Sequence, residues 1–469
     1  MLFTELRFVL FFVIVFGVHW ALRRNSPRKL WLLLCSYVFY AAWDWRFCSL
    51  MLLSTLVDYS TGHMVARKQP PGGRKLWLMV SLAANLGLLA FFKYYNFFVT
   101  SGQGLFELAG LQFPMRTLEI ILPVGISFYT FQTLSYTIDI YRHRLKPVQK
   151  LSDFALFVGF FPQLVAGPIV RAVEFLPQLD VRRRFSSVDV RGCLTLFMIG
   201  FIKKACISDN LARVADRYFE APELYDLGSA VTAVVYYMVQ VYCDFSGYSD
   251  MAIATAGLLG YQLCVNFEHP FFSRNVEEFW RRWHMSLSFW MRDYVFTSLL
   301  RSGRNTKARI IQSLMITLVI CGFWHGARWN YVLFGVVHGA GASFNLLTRP
   351  FIAARPQLSR VLGAIGPLLT FYFVSATIIM FRPVDWEQMA TALKAFVFFD
   401  SPGERSFGTA ALWFFPALVA VHWISYRKWL LGPWRRAPGW LWYLVWGGTM
   451  ALALQWAAKD FRAFVYFQF

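Results

Sequence analysis

The chain has 469 residues, of which 57% are hydrophobic, 19% aromatic and only 15% charged. A soluble chain of this length carries about a quarter charged residues, so the composition excludes an ordinary soluble protein and points to an integral membrane protein. The net charge of +20 reads as the lysine and arginine of cytoplasmic loops, a topology signal, and not as a nucleic-acid-binding surface.

Apolar runs close to the ~20 residues that cross a bilayer as helix recur along the whole chain. Residues 1–458 are therefore read as one polytopic, all-α membrane domain of about 11 to 13 crossings, followed by an aromatic tail at 459–469. Residues 6–22 make a first span without the small-residue cleavage site of a signal peptide. The basic residues that follow put that loop in the cytoplasm and the N-terminus outside. Runs at 30–43 and 47–66 return to a second basic loop, 76–98 goes out, 99–118 is a loop, and 118–141 comes back. Residues 154–169 contain Pro162, Gly167 and Pro168; so broken a segment is expected to be re-entrant or interfacial, buried in protein or lining a wet cavity. Further spans are expected at 191–207, 227–265, 309–324, 329–347, 361–381, 407–424 and 440–457, with both ends of the chain outside. Seven scattered cysteines show no CxxC and no metal-ligand spacing, so they read as small buried hydrophobes and no metal is expected.

Against this apolar background His325 stands out, set in Cys321-Gly322-Phe323-Trp324-His325-Gly326-Ala327. An ionisable group at membrane depth is costly and marks a functional site by default. Its side chain exchanges a proton near neutral pH. His338 lies 13 residues on, between Gly335 and Gly339, where it could share the same interior or simply mark close helix packing. A second histidine, His284, sits in the stretch 279–294 (FWRRWHMSLSFWMRDY). Interleaved tryptophan and arginine suit a membrane interface, and Arg281, Arg282 and Ser286 could wall a pocket for an anionic donor. Two spans carry polar groups at depth: 123–132 (PVGISFYTFQ), with Gln132, and 243–250 (CDFSGYSD), with Asp244 and Asp250. The tail ends Phe464-Val465-Tyr466-Phe467-Gln468-Phe469, with Tyr466 its one hydroxyl; such a tail is expected to tuck against protein or membrane.

Taken together and in order, 35–42, 123–132, 159–171 (GFFPQLVAGPIVR), 243–250, 279–294 and 322–329 (GFWHGARW) resemble the membrane-bound O-acyltransferase family. Within it the chain is similar to the bacterial branch that O-acetylates alginate, cellulose or peptidoglycan, related to the D-alanyl transferase of teichoic acid export. The resemblance implies a helical bundle around a central tunnel, with His325 and His284 at the family's two polar positions and Tyr466 as the acyl-carrying residue. It further implies acetyl-CoA as donor, a periplasmic SGNH-type acetyltransferase as partner, and the bacterial inner membrane as location. Arg281, Arg282, Ser286, Trp324, Gln132 and Asp244 are the candidates for lining the donor path. The alternative is a proton-coupled transporter or flippase of an acylated donor, for which Asp244 and Asp250 form the one suggestive acidic pair; a passive scaffold for a periplasmic enzyme is a third reading.

Overall fold

The computed structural model describes every residue except 68–69, 112, 166, 302, 304–305, 383–384, 409–413, 428, 430–433, 435, 459–461, 463 and 466–469. In chain order the helices are α1 (Leu6–Ala21), α2 (Asn25–Asp44), α3 (Cys48–Ala66), α4 (Gly73–Leu89), α5 (Tyr95–Leu108), α6 (Ile126–Tyr141), α7 (Leu151–Gly159), α8 (Phe161–Leu164), α9 (Ala172–Leu179), α10 (Val190–Phe201) and α11 (Asp209–Glu220). They continue as α12 (Leu227–Leu258), α13 (Val276–Arg282), α14 (Met285–Trp290), α15 (Thr297–Arg301), α16 (Lys307–His325), α17 (Trp329–Ala353), α18 (Pro356–Ile378), α19 (Trp386–Val397) and α20 (Phe414–Tyr426). The last described helix is Gly439–Trp456. Among the described residues the one departure from helix and irregular chain is a bridge between Tyr225 and Arg405.

Several starts follow from capping: Asp226, Asn275, Thr306 and Asp385 each accept a hydrogen bond from the backbone N–H three residues on. The surface is inverted relative to a soluble protein. Leu6, Leu10, Val13, Leu368, Leu444 and Leu452 are exposed, while Asp58, Gln132, Asp244, His284, His325 and His338 are buried. An apolar belt around an interior that holds such polar groups within an apolar core is the arrangement a bilayer rewards. Among the described residues four helical stretches are long and apolar enough to cross a membrane by length and composition: Gly73–Leu108, Lys307–His325, Trp329–Ala353 and Pro356–Phe381.

The 32-residue α12 is the central post, about 48 Å long at 1.5 Å per residue and buried on nearly all sides. It crosses α10 closely; a Cβ on Gly200 would lie 2.5 Å from the Gly247 carbonyl oxygen. Among the described residues three helices carry a π turn, at Ala90–Tyr94, Ile202–Ser208 and Met291–Phe296.

The expected loop at 99–118 is shorter than expected, because helix continues through the π turn to Leu108. The return helix starts at Ile126, after Gly125 in the left-handed region (φ 77°), and not at 118. The run expected at 227–265 is a single helix that stops at Leu258, before Gly260 (φ 85°).

The broken segment around Pro162 is buried, as its composition led one to expect, and side chains serve its interrupted backbone. Ser36 Oγ accepts from the Phe161 N–H at 3.1 Å, and Gln163 Nε2 donates to the Phe157 carbonyl at 2.6 Å. Ser286 Oγ accepts from the Ile169 N–H at 3.0 Å, and Ser135 Oγ accepts from the Ala172 N–H at 3.3 Å. Irregular backbone at depth survives on such partners.

Candidate active site

His325 is the last residue of α16 and is 3% exposed. Helices α16 and α17 form a tight hairpin because glycine sits wherever their backbones meet. A Cβ on Gly322 would lie 2.2 Å from the Tyr331 carbonyl oxygen, and one on Gly335 would lie 2.5 Å from that of Leu318. The close approach turns the imidazole inward, with ring centroids 5.2 Å from Phe381, 6.3 Å from Phe334 and 5.1 Å from Trp324.

His284 comes from a different part of the chain and lies 6.5 Å from His325, ring centroid to ring centroid. It is fully buried, in the left-handed region (φ 43°) between α13 and α14, a conformation costly for a non-glycine residue and held by its surroundings. Asn266 is the hub of those surroundings. Its Oδ1 accepts from His284 Nδ1 at 3.1 Å and from Ser286 Oγ at 2.9 Å, while its Nδ2 donates to Ser249 Oγ at 3.1 Å. Because an amide oxygen can only accept, His284 carries its proton on Nδ1 and presents the lone pair of Nε2.

His338 has the opposite tautomer. Trp280 Nε1 donates to its Nδ1 at 3.2 Å, so the proton is on Nε2, which donates to Thr377 Oγ1 at 2.9 Å. Both nitrogens are thus engaged, and His338 is built in as a wall residue. It shares a narrow, mostly apolar pocket with His325, Trp280, Trp283, Phe334 and Phe381. A cavity of about 1150 Å³ lies along α13, α17 and α18, lined by Arg274, Glu277, Glu278, Arg281, Arg282 and Arg349 among others. Val337 and Phe373 line the broad cavity, while His338 and Val374 line the narrow pocket.

The sequence-predicted residues divide. Trp324 lies beside His325, with ring centroids 5.1 Å apart; its ring stacks on Phe131 at 5.5 Å, and Phe131 stacks on Trp290 at 3.9 Å. Arg281 and Arg282 do line the broad cavity, but each is ion-paired on its own helix, with Glu277 and with Glu278 (2.9 Å) respectively, so the arginine-rich wall is largely neutralised. Ser286 donates to Asn266 Oδ1 and accepts the Ile169 N–H. Gln132 is buried beside Phe131 on α6, and among the described residues its side-chain amide has no hydrogen-bond partner.

Asp244 is committed elsewhere. It pairs with Lys204 at 2.7 Å and accepts the Val465 backbone N–H at 2.7 Å. Asp250 pairs with Lys203 at 2.7 Å. The tail is therefore anchored in the bundle: Phe464 is 1% exposed and packs on Phe245, whose ring lies 4.5 Å from that of His284. Tyr466 itself lies outside the described residues.

Two residues passed over in the sequence complete the site. Asn266 gave no signal, since a lone asparagine before a basic stretch resembles any loop residue. Lys93 did give one, a cation between Phe92 and Tyr94 inside an apolar run; the cost argument applied to His325 applies equally to it. Its ammonium donates to the carbonyls of Trp324 (2.6 Å) and His325 (3.1 Å).

The model of the MBOAT, membrane-bound O-acyltransferase family, matches residues 76–382, which span both histidines. The probable alginate O-acetylase AlgI of Azotobacter vinelandii is 37% identical over 395 residues, covering 83% of this chain and 77% of that protein. Its counterpart from Pseudomonas aeruginosa is 38% identical over 383 residues, covering 81% and 72%. The peptidoglycan O-acetyltransferase of Helicobacter pylori is 34% identical over 400 residues, covering 79% and 73%. With a family match over most of its length and relatives this similar, the chain belongs to the membrane-bound O-acyltransferase family.

Proposed function

We propose that this membrane O-acetyltransferase takes an acetyl group from a cytoplasmic thioester, acetyl-CoA, and passes it through the bundle for O-acetylation of an extracellular or periplasmic polysaccharide. The observation that carries the reading is the pair of buried histidines 6.5 Å apart, with a broad cavity lined by ion-paired arginines and glutamates on the helices that also line the narrow pocket at His325. The names of the relatives, alginate O-acetylase and peptidoglycan O-acetyltransferase, support polysaccharide as the acceptor class. The location is the bacterial inner membrane, and a periplasmic SGNH-type acetyltransferase is the partner that collects the acetyl group.

In this reading His325 is the general base. It takes the proton of an acceptor hydroxyl as that oxygen attacks the thioester carbonyl; the new C–O bond forms, the C–S bond breaks, and the proton passes to the departing thiolate. A phenol, with an ordinary pKa near 10, is a more readily activated acceptor than a sugar alcohol. Tyr466 then holds the acetyl as an ester until the partner removes it. The anchoring of Phe464 near His284 supports delivery of the tail to this level of the bundle. His284, with its lone pair on Nε2, orients the donor or shuttles the proton. A ~30 Å hydrocarbon core separates donor from polymer and makes a relay useful. The lysine partners of Asp244 and Asp250 argue against the proton-coupled transporter.

The test is purified protein in detergent with acetyl-labelled acetyl-CoA, followed by mass spectrometry of the C-terminal peptide. Label on Tyr466 that is lost in His325→Ala is the expected result; intact donor and unlabelled protein would overturn the reading.

A further inference from the structure

The last four carbonyls of any α-helix have no partner within the helix, and at membrane depth there is no bulk water to take their place. In α16 those carbonyls belong to the turn that carries the base. Three of the four are capped by two consecutive side chains from another helix. Tyr94 Oη donates to the Phe323 carbonyl at 3.0 Å, and Lys93 Nζ donates to those of Trp324 and His325 at 2.6 and 3.1 Å. The Tyr94 ring also stacks on Phe323 at 4.4 Å, and the Lys93 ammonium lies 5.6 Å from the Trp324 ring centroid.

Adjacent residues on a regular helix diverge by about 100° and do not reach one target. Lys93 and Tyr94 do so because they end the π turn Ala90–Tyr94, whose extra residue re-aims the side chains. Such turns recur at functional sites. Gly326, which follows His325, is fully extended (φ −161°), so α16 has no cap of its own. Among the described residues no carboxylate is placed to pair with Lys93 in a salt bridge; a cation at a helix C-terminus is stabilised instead by the negative end of the dipole.

We propose that Lys93 and Tyr94 are positioning residues for the reaction. They clamp the last turn of α16 and so fix where the His325 imidazole points. The proposal rests on the reading of His325 as the base, and extends it to residues on an element that carries none of the histidines. The clamp is also reachable. Lys93 lines a cavity of about 200 Å³ with Phe92, Asn96, Ile120, Leu122 and Ala327, so removing its side chain leaves room for a small amine to take the ammonium's place.

The experiment measures acetyl transfer from acetyl-CoA by full-length protein in detergent for wild type, Lys93→Met, Lys93→Ala, Tyr94→Phe and His325→Ala. Misplacing a catalytic group by about 1 Å costs on the order of a hundredfold, so Lys93→Met is expected to lose about that factor in kcat with KM for acetyl-CoA little changed. Tyr94→Phe, which keeps the stacked ring and removes one hydroxyl, is expected to lose a smaller part of kcat. Ethylammonium is expected to restore Lys93→Ala saturably and to leave wild type and His325→Ala unaffected. A wild-type kcat in Lys93→Met, or no rescue of folded Lys93→Ala together with a wild-type kcat in Tyr94→Phe, would overturn the clamp while leaving the base reading intact. Full activity in His325→Ala would overturn the base reading itself, and the clamp with it.

Discussion

Asn266 and His284 are 18 residues apart in sequence and joined by one hydrogen bond, Nδ1 to Oδ1 at 3.1 Å. That bond decides the chemistry of the ring. An amide oxygen accepts only, so it pins the proton to Nδ1 and leaves the lone pair on Nε2. The same oxygen takes Ser286 Oγ at 2.9 Å, and the amide nitrogen reaches Ser249 on α12. One buried asparagine thus ties together α12, the turn at His284 and, through Ser286, the broken segment at Ile169.

Replacing Asn266 by leucine should therefore impair catalysis more than binding. If His284 serves in acid–base work, its contribution is on the order of a hundredfold or more in rate. Steady-state kinetics should show kcat falling by about that much while KM for acetyl-CoA stays close to wild type. An unchanged kcat in a folded variant would demote His284 to structure.

The two histidines of the narrow pocket should respond differently. His338 uses both nitrogens on Trp280 and Thr377, so His338→Gln, which keeps one donor and one acceptor, should retain most of the activity. His325→Gln should abolish it. Equal losses in the two variants, measured on protein of equal thermal stability, would give His338 a part in the chemistry.

Tyr466→Phe keeps an aromatic ring in the tail and removes the nucleophilic oxygen. Polymer acetylation should vanish in cells expressing it, while expression level and detergent-solubilised folding persist. Normal acetylation would remove the relay and leave direct transfer to the partner.

Gly322→Ala tests the hairpin. The new methyl would meet the Tyr331 carbonyl at 2.2 Å and the Gly335 backbone nitrogen at 2.9 Å, and neither backbone atom can move without separating α16 from α17. Overpacking of this kind costs about 1–3 kcal/mol, read as a lower Tm, and the separation should also displace His325 and cut activity.

Among the described residues Asp244→Ala leaves Lys204 with Asp209 as its carboxylate partner, and it removes the acceptor for the Val465 N–H. Breaking a buried ion pair costs about 3–5 kcal/mol. Thermal unfolding in detergent should show a loss toward the lower end, because Asp209 stays. Limited proteolysis should find the C-terminal tail newly accessible; a protected tail would show that its anchor lies elsewhere.

Much of the helical order was legible because apolar runs and capping residues are local. The boundaries that failed did so for local reasons with non-local causes. At 99–108 the helix outlasts its apolar run through a π turn, and the non-helical stretch that follows is tied at Leu118 by Asn96, which exchanges two hydrogen bonds with its backbone. The partners of Ser286 were not legible, because a serine on an interfacial stretch offers a hydroxyl to any partner. Its actual partner, the Ile169 N–H, is 117 residues away.

What the sequence determined by itself is what bulk hydropathy and residue type can carry: a helical membrane protein, its family by an ordered set of motifs, and histidines set at costly depth. What only the tertiary structure decided is how those histidines are arranged and held. It brought His284 to 6.5 Å from His325 and gave His284 and His338 opposite tautomers through Asn266 and Trp280. It also capped the helix of His325 with Lys93, 232 residues away in the chain. The physical reason is that hydrogen bonds are short and directional, so a proton's place on a ring depends on the atom about 3 Å away, wherever along the chain that atom belongs.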